Sequence, residues 1–122
     1  MFIGVDIIEI EKVKLLIKKE HYIDKVFTKE EIELVKGYSE RRSVESLAGR
    51  FAVKEAVVKA LGTGFDQGIL LTDIETLKDE KGKPVLFLYN KAKKRAQELS
   101  ISTLCVSISH CELYAVGMVA FS

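Results

Sequence analysis

The sequence predicts an α+β fold, a mainly antiparallel sheet packed against one long buried helix. Two observations carry this expectation. Residues Ala48–Gly64 (AGRFAVKEAVVKALGTG) are apolar around nearly the whole helical circumference and stop at a Gly-Thr-Gly triplet, the pattern of a core helix. The other apolar runs are short, and most of those in the second half are joined by turn signals, as in a hairpin-connected sheet. Within the helix, Ala48, Ala52, Ala56 and Ala60 form a row of small side chains at i, i+4 spacing, which allows close approach to a sheet or another helix.

The elements follow in order. Phe2–Ile10 reads as a strand with Ile3, Val5 and Ile7 on one face and Gly4, Asp6, Ile8 and Ile10 on the other. Both faces are mostly apolar, so a central position is expected, with Asp6 as the anomaly. Glu11–Lys19 has helical spacing, with Val13, Leu16 and Ile17 inward and lysines outward. Thr28 and Glu31 form a capping box for a short helix running to about Lys36 and ended by Gly37. Ser43 can cap the long helix. Ile69–Lys78 and Val85–Tyr89 read as strands joined at DEKGKP, and Asn90–Leu99 as an amphipathic helix with a basic face. Ser102–His110 and Tyr114–Phe121 read as a final pair of strands with a tight connection.

At 122 residues, with 48% hydrophobic and 30% charged residues, a single domain over residues 1–122 is expected. The net charge of +1 implies no long-range field for nucleic acid or membrane. The KAKKRAQ segment (Lys91–Gln97) lacks interleaved aromatics and does not support a nucleic-acid binder. Asp6 and Glu9 interrupt the first apolar run, so no signal peptide is expected, and no run approaches the ~20 residues of a membrane span. Cys105 and Cys111 show no ligand spacing and read as reduced thiols of a cytoplasmic protein.

Glu55 is the first residue to ask about, because its helical neighbours are Phe51, Ala52 and Val58. A carboxylate buried there must be paired, protonated or bound to a metal. Asp6 and Glu55 together make a candidate pair for Mg²⁺, which favours one or two carboxylates plus water and substrate phosphates. Spacing alone favours the other reading, in which each carboxylate pairs with a lysine or arginine, with Lys54 and Lys59 close in sequence. Arg41, Arg42, Arg50, Lys54 and Lys59 form a basic set that is either a solvated face or the cations a polyphosphate needs. Gly62-Thr63-Gly64 is either a helix C-cap or a place where amides meet a phosphate. His110 either caps its hairpin or donates to a phosphate. Ser109 and His110 point to opposite faces of a strand, which disfavours a Ser-His-Asp hydrolase.

Three segments together narrow these alternatives: GVDIIEIEKV (Gly4–Val13), ERRSVESLAGRFAVKEAVVKALGTG (Glu40–Gly64) and SISH (Ser107–His110). In order, spacing and size the chain resembles the holo-acyl-carrier-protein synthases, the compact bacterial 4′-phosphopantetheinyl transferases. The resemblance implies Mg-dependent transfer of the 4′-phosphopantetheine arm of coenzyme A to a serine of apo-acyl carrier protein, releasing adenosine 3′,5′-bisphosphate, in support of fatty acid biosynthesis. It implies Asp6 and Glu55 as metal ligands, with Mn²⁺ also compatible, and Lys59 at the phosphates. The transfer also needs a base for the serine proton, for which Glu55 is the leading candidate, through a metal-bound water or directly. Arg41, Arg42, Arg50, Gly62 and His110 are implied at the coenzyme, and Lys12, Leu16 and Lys19 at the carrier-protein docking helix. A homotrimer with sites between protomers is implied as well. The chain departs from the family in having lysines at 12 and 19 where arginine is common, which loses the bidentate fork. It also has Cys111 where threonine is usual. The competing reading is a catalytically silent module that binds coenzyme A or carrier protein.

Overall fold

The long helix is set by its two ends. In the computed structural model, which describes residues 1–122, the Ser39 hydroxyl accepts the Arg42 N–H at 3.2 Å and starts the helix at Glu40. Ser39, not Ser43, is therefore the cap. At the other end Gly62 takes φ 73°, and its N–H returns to the Val58 and Lys59 carbonyls. The helix, α4 (Glu40–Leu61), is preceded by β1 (Phe2–Glu9), α1 (Ile10–Ile17), α2 (Tyr22–Val26) and α3 (Lys29–Leu34). It is followed by β2 (Ile74–Lys78), β3 (Pro84–Leu88), α5 (Asn90–Glu98), β4 (Leu104–His110) and β5 (Tyr114–Phe121). The Thr28/Glu31 capping box opens α3 as its spacing predicts.

The strands form two antiparallel sheets, β1-β5-β4 and the β2-β3 hairpin. α4 lies across the first sheet on its alanine row. A Cβ on Gly4 would overlap the Ala56 carbonyl, and one on Gly117 would overlap the backbone at Ala52 and Val53. Both strands thus meet the helix backbone through a glycine, and any larger residue would push the layers apart. Two hydrophobic clusters flank α4. Val53, Val57 and Leu61 pack with Val119, Phe121, the hairpin and α5. Val44 and Leu47 pack with Val13, Val26 and Phe27 from the N-terminal helices.

Several sequence expectations are corrected here. β1 is an edge strand, paired with β5 alone. Its two-sided apolar pattern arises because Ile3, Val5 and Ile7 face outward, 61%, 52% and 62% exposed. The first helix begins at Ile10 and ends at Ile17, which leaves Lys19 in the turn beyond it. The strand expected over Ile69–Lys78 starts only at Ile74, because Leu71–Asp73 forms a tight 3-10 turn in which the Asp73 carboxylate accepts the Leu70 N–H at 2.9 Å. The final strand pair starts at Leu104, since Ser102 and Thr103 hydrogen-bond the Ser122 carbonyl outside the ladder.

The charge that α4 buries completely is Lys54, not Glu55. Lys54 is 0% exposed and meets Glu31, also 0% exposed, at 2.8 Å. Its ammonium also donates to the Leu71 and Ile74 carbonyls. The second Glu31 oxygen accepts the Thr76 N–H at 3.0 Å. Burial pushes the Lys54 pKa down, and Glu31 opposes that shift. This pair ties α3, α4 and β2 together at the centre of the molecule. Glu55, one residue on, turns to the half-buried rim.

Candidate active site

Asp6 and α4 meet because β1 lies flat on the helix. Asp6 is opposite Gly117 in the β1-β5 register, so no neighbouring side chain on that strand crowds it. Lys59 reaches across from α4 and donates to Asp6 Oδ1 at 2.7 Å and to the Val5 carbonyl at 3.1 Å. Glu55 stands one helical turn before Lys59. Its carboxyl pKa is raised, first by burial and then by the Asp6 charge beside it, with Lys59 pulling the other way. Two carboxylates therefore share one cation, and the set carries an excess negative charge.

That donor set fits a hard divalent cation. No group of three or more His, Cys, Asp or Glu side chains converges anywhere in the chain, so a cation at Asp6 and Glu55 would draw its remaining ligands from water or substrate. Mg²⁺ accepts such partial protein ligation, and Mn²⁺ shares the oxygen preference. Glu55 also borders a cavity of about 630 Å³ whose other walls include Tyr22, Lys25, Phe51, Phe65, Ile69 and Leu71. Glu55 thus opens on one side into a largely apolar chamber.

The other predicted cations gather elsewhere. Arg42, Arg50 and His110 line a cavity of about 240 Å³ with Tyr38, Glu45, Ser46, Lys78, Gly82 and Pro84. Arg50 is only 4% exposed. It donates to the Thr76 carbonyl at 2.8 Å and to the Ser46 hydroxyl at 2.8 Å, which locks its fork in place. Burial lowers its pKa, yet a guanidinium remains charged. Glu45, the one carboxylate in this wall, lies 3.8 Å from His110 Nε2 and 3.5 Å from Arg41 Nε.

Not every predicted residue joins these two clusters. Arg41 turns to a neighbouring cavity with Glu11, Lys14, Glu40 and Glu112, away from Arg42. The Gly62 amide is occupied by the helix cap, so it has no free N–H for a ligand in this state. Lys12 is exposed and 3.9 Å from Glu9, Leu16 is half-buried, and Lys19 is exposed beyond the end of α1. Leu15, at 58%, is the more exposed leucine of that helix. Tyr38 and Lys78 escaped the sequence reading. Tyr38 sits in an irregular connection and Lys78 at the end of a strand, and neither position carries a periodic signal.

Arg42 and Glu55 are separated by thirteen positions of α4, about 20 Å along the helix axis. The cationic cavity extends along α4 from Arg42 to Arg50, which is five positions, about 7.5 Å, before Glu55.

Comparison with known proteins places this geometry in a family. The model of the 4′-phosphopantetheinyl transferase superfamily matches residues 2–119. A holo-[acyl-carrier-protein] synthase of Ruminiclostridium cellulolyticum is 42% identical over 127 aligned positions, covering 100% of this chain and 92% of that protein. The enzyme of the same name from Protochlamydia amoebophila is 44% identical, covering 98% and 96%. Among solved structures, the Helicobacter pylori holo-[acyl-carrier-protein] synthase in complex with coenzyme A superimposes with a TM-score of 0.83 at 32% identity, covering 98% of this chain and 99% of that one. The Bacillus anthracis enzyme in complex with CoA (3′,5′-ADP) gives 0.81 at 34% identity, covering 98% and 94%. With a match that runs nearly end to end, the chain belongs to the 4′-phosphopantetheinyl transferase superfamily.

Proposed function

We propose that this protein transfers the 4′-phosphopantetheine group of coenzyme A to a serine of apo-acyl carrier protein. The observation that carries the reading is the convergence of Asp6, Glu55 and Lys59, two carboxylates and one ammonium, where β1 crosses α4. Asp6 and Glu55 would hold Mg²⁺, or Mn²⁺ in its place, and a bound cation there would offset charge on the coenzyme pyrophosphate. Lys59 already donates to Asp6 and can redirect an N–H to a phosphate oxygen without leaving its place. The serine Oγ forms a bond to the pantetheine-side phosphorus as the bond to the adenosine-side phosphate breaks, and Glu55 receives the serine proton. The departing adenosine 3′,5′-bisphosphate carries its new charge beside Lys59.

Incubation of apo-acyl carrier protein with this protein, coenzyme A and Mg²⁺ is expected to add about 340 Da to the carrier by mass spectrometry, since only covalent transfer leaves a mass behind. An unchanged carrier mass alongside intact coenzyme binding would favour the silent binding module.

The docking surface for the carrier is Lys12, Leu16 and Lys19. Carrier proteins are acidic, and α1 presents lysines with leucines between them. Lys12→Glu combined with Lys19→Glu is expected to raise KM for carrier protein at least about tenfold with little change in KM for coenzyme A. An equal rise in both constants would remove this assignment.

A homotrimer with sites shared between copies accounts for two features at once. The outer face of the β1-β5-β4 sheet carries Ile3, Val5, Ile7 and Met118, all exposed, with Met118 directly opposite Val5. A contiguous apolar patch of this kind is a protein-contact surface. The Arg42 end of the cationic cavity is also about 20 Å along α4 from Glu55, so the cavity of one copy can complete the site of the next. Val5→Glu or Met118→Glu is expected to yield monomers by light scattering, with loss of transfer activity. Monomers of full activity would exclude a shared site.

No helix is long and apolar enough to cross a membrane. Cys105 and Cys111 are exposed free thiols, which accords with a cytoplasmic setting.

A further inference from the structure

Tyr38 belongs to no helix or strand. It lies between Gly37, at φ 85°, and the Ser39 cap of α4, and this turn sets its ring at the wall of the cationic cavity. The Arg42 guanidinium stacks on that ring at 3.9 Å from the centroid. Lys78 Nζ lies 5.1 Å from the same centroid and donates to the phenol oxygen at 2.6 Å. The phenol pKa is lowered, with the Lys78 hydrogen bond as the first cause.

Arg42 stands in the first turn of α4 and Lys78 at the end of β2, and neither side chain has an ion pair. Their shared contact is Tyr38. Long cationic side chains lose rotamer freedom when they engage a ligand, and a contact that orders them beforehand removes part of that loss. Glu45, the single acid of the cavity wall, already faces Arg41 and His110. Arg42 and Lys78 therefore keep unneutralised charge. Two such cations suit a terminal phosphomonoester, which carries a charge near −2 at neutral pH, better than a singly charged phosphodiester.

We infer that Tyr38 is a positioning residue that holds Arg42 and Lys78 as a two-cation clamp for the 3′-phosphate of coenzyme A. The inference rests on the reading of this cavity as the nucleotide end of the coenzyme site.

The test compares KM and kcat for coenzyme A and for 3′-dephospho-coenzyme A in the wild type, Tyr38→Leu, Tyr38→Phe and Arg42→Ala. The wild type is expected to favour coenzyme A. Tyr38→Leu raises KM for coenzyme A about tenfold, the size of one lost charge-assisted contact, with kcat nearly constant and no change for 3′-dephospho-coenzyme A. Tyr38→Phe keeps the stack on Arg42, releases Lys78, and falls between the two. Tyr38→Leu and Tyr38→Phe raising both KM values equally, or lowering kcat alone, would overturn the clamp and leave Tyr38 a structural residue. If the wild type treats both substrates alike and Arg42→Ala alters neither, the nucleotide-end reading itself fails, and the clamp with it. Tm values for the variants accompany the kinetics. Tyr38→Phe conserves the ring, so the clamp stays testable if Tyr38→Leu folds poorly.

Discussion

Glu55→Gln should lower kcat for transfer by about 10³-fold, the scale reached when a charge-stabilising group is removed from a transition state, while the protein without Mg²⁺ becomes more heat-stable. The two effects have one cause. Burial and Asp6 raise the Glu55 pKa, so the folded protein binds this proton more tightly than the unfolded chain does. The stability linked to that proton is fully present below the unfolded pKa and is lost as pH rises through the folded value. At neutral pH the ionised Glu55 thus weakens the fold, and a neutral glutamine of the same shape relieves the repulsion with Asp6. The Tm gain over wild type should shrink as pH falls through the raised Glu55 value and be gone below the ordinary carboxylate range. Mg²⁺ should raise the Tm of the wild type and leave that of the variant unmoved, because a ligand stabilises only the state that binds it. Thermal melts across pH, with and without Mg²⁺, read all three outcomes. A Glu55→Gln protein of full activity would end the assignment of Glu55 to metal and proton.

Lys54→Met should be the most damaging single change to stability. It leaves Glu31 charged, 0% exposed and without its ammonium, and it takes the lysine donor away from the Leu71 and Ile74 carbonyls, of which Leu71 keeps the Ile74 N–H. Breaking one side of a buried pair costs about 3–5 kcal/mol, which for a chain of this size is roughly 10–20 °C of Tm. Adding Glu31→Gln should return most of that loss. The amide oxygen of the introduced glutamine can still accept the Thr76 N–H, and no bare charge remains. The double variant, followed by thermal and urea unfolding, separates the cost of an unpaired charge from the loss of a large side chain. A double variant no more stable than Lys54→Met would show that packing, not charge, is what Lys54 supplies. Because Lys54 also grips Leu71, whose segment walls the chamber beside Glu55, partial recovery of stability should bring partial recovery of activity.

How much of this was legible in the chain differs by element. The capping box at Thr28 and Glu31 is local chemistry, and spacing alone reveals it. The Gly-Thr-Gly stop of α4 is legible for the same reason. The Asp6, Glu55 and Lys59 set was readable as chemistry, since carboxylates on an apolar strand and helix demand partners. Periodicity did not tell which charge of Lys54-Glu55 goes inward. The two are adjacent on a helix with no polar face, and the choice is made by Glu31, 23 residues upstream. The edge position of β1 was hidden because an apolar outer face looks the same whether a sheet or another copy covers it. Tyr38 and Lys78 were invisible because their contact joins a loop to a strand end 40 residues away.

The sequence by itself therefore determined the α+β class, the long helix with its C-terminal stop, and the inventory of acids and bases proposed for phosphate transfer. These depend on side-chain type and local spacing. Only the tertiary structure decided that Lys54 is the buried charge and Glu55 the half-exposed one. It also decided that Asp6 pairs with Lys59, and that Arg42, Arg50 and His110 gather in a cavity that neither carboxylate lines, with Arg42 about 20 Å along the helix from Glu55. The reason is physical: burial and pKa are set by what the rest of the chain places opposite a residue, and those partners lie tens of positions away.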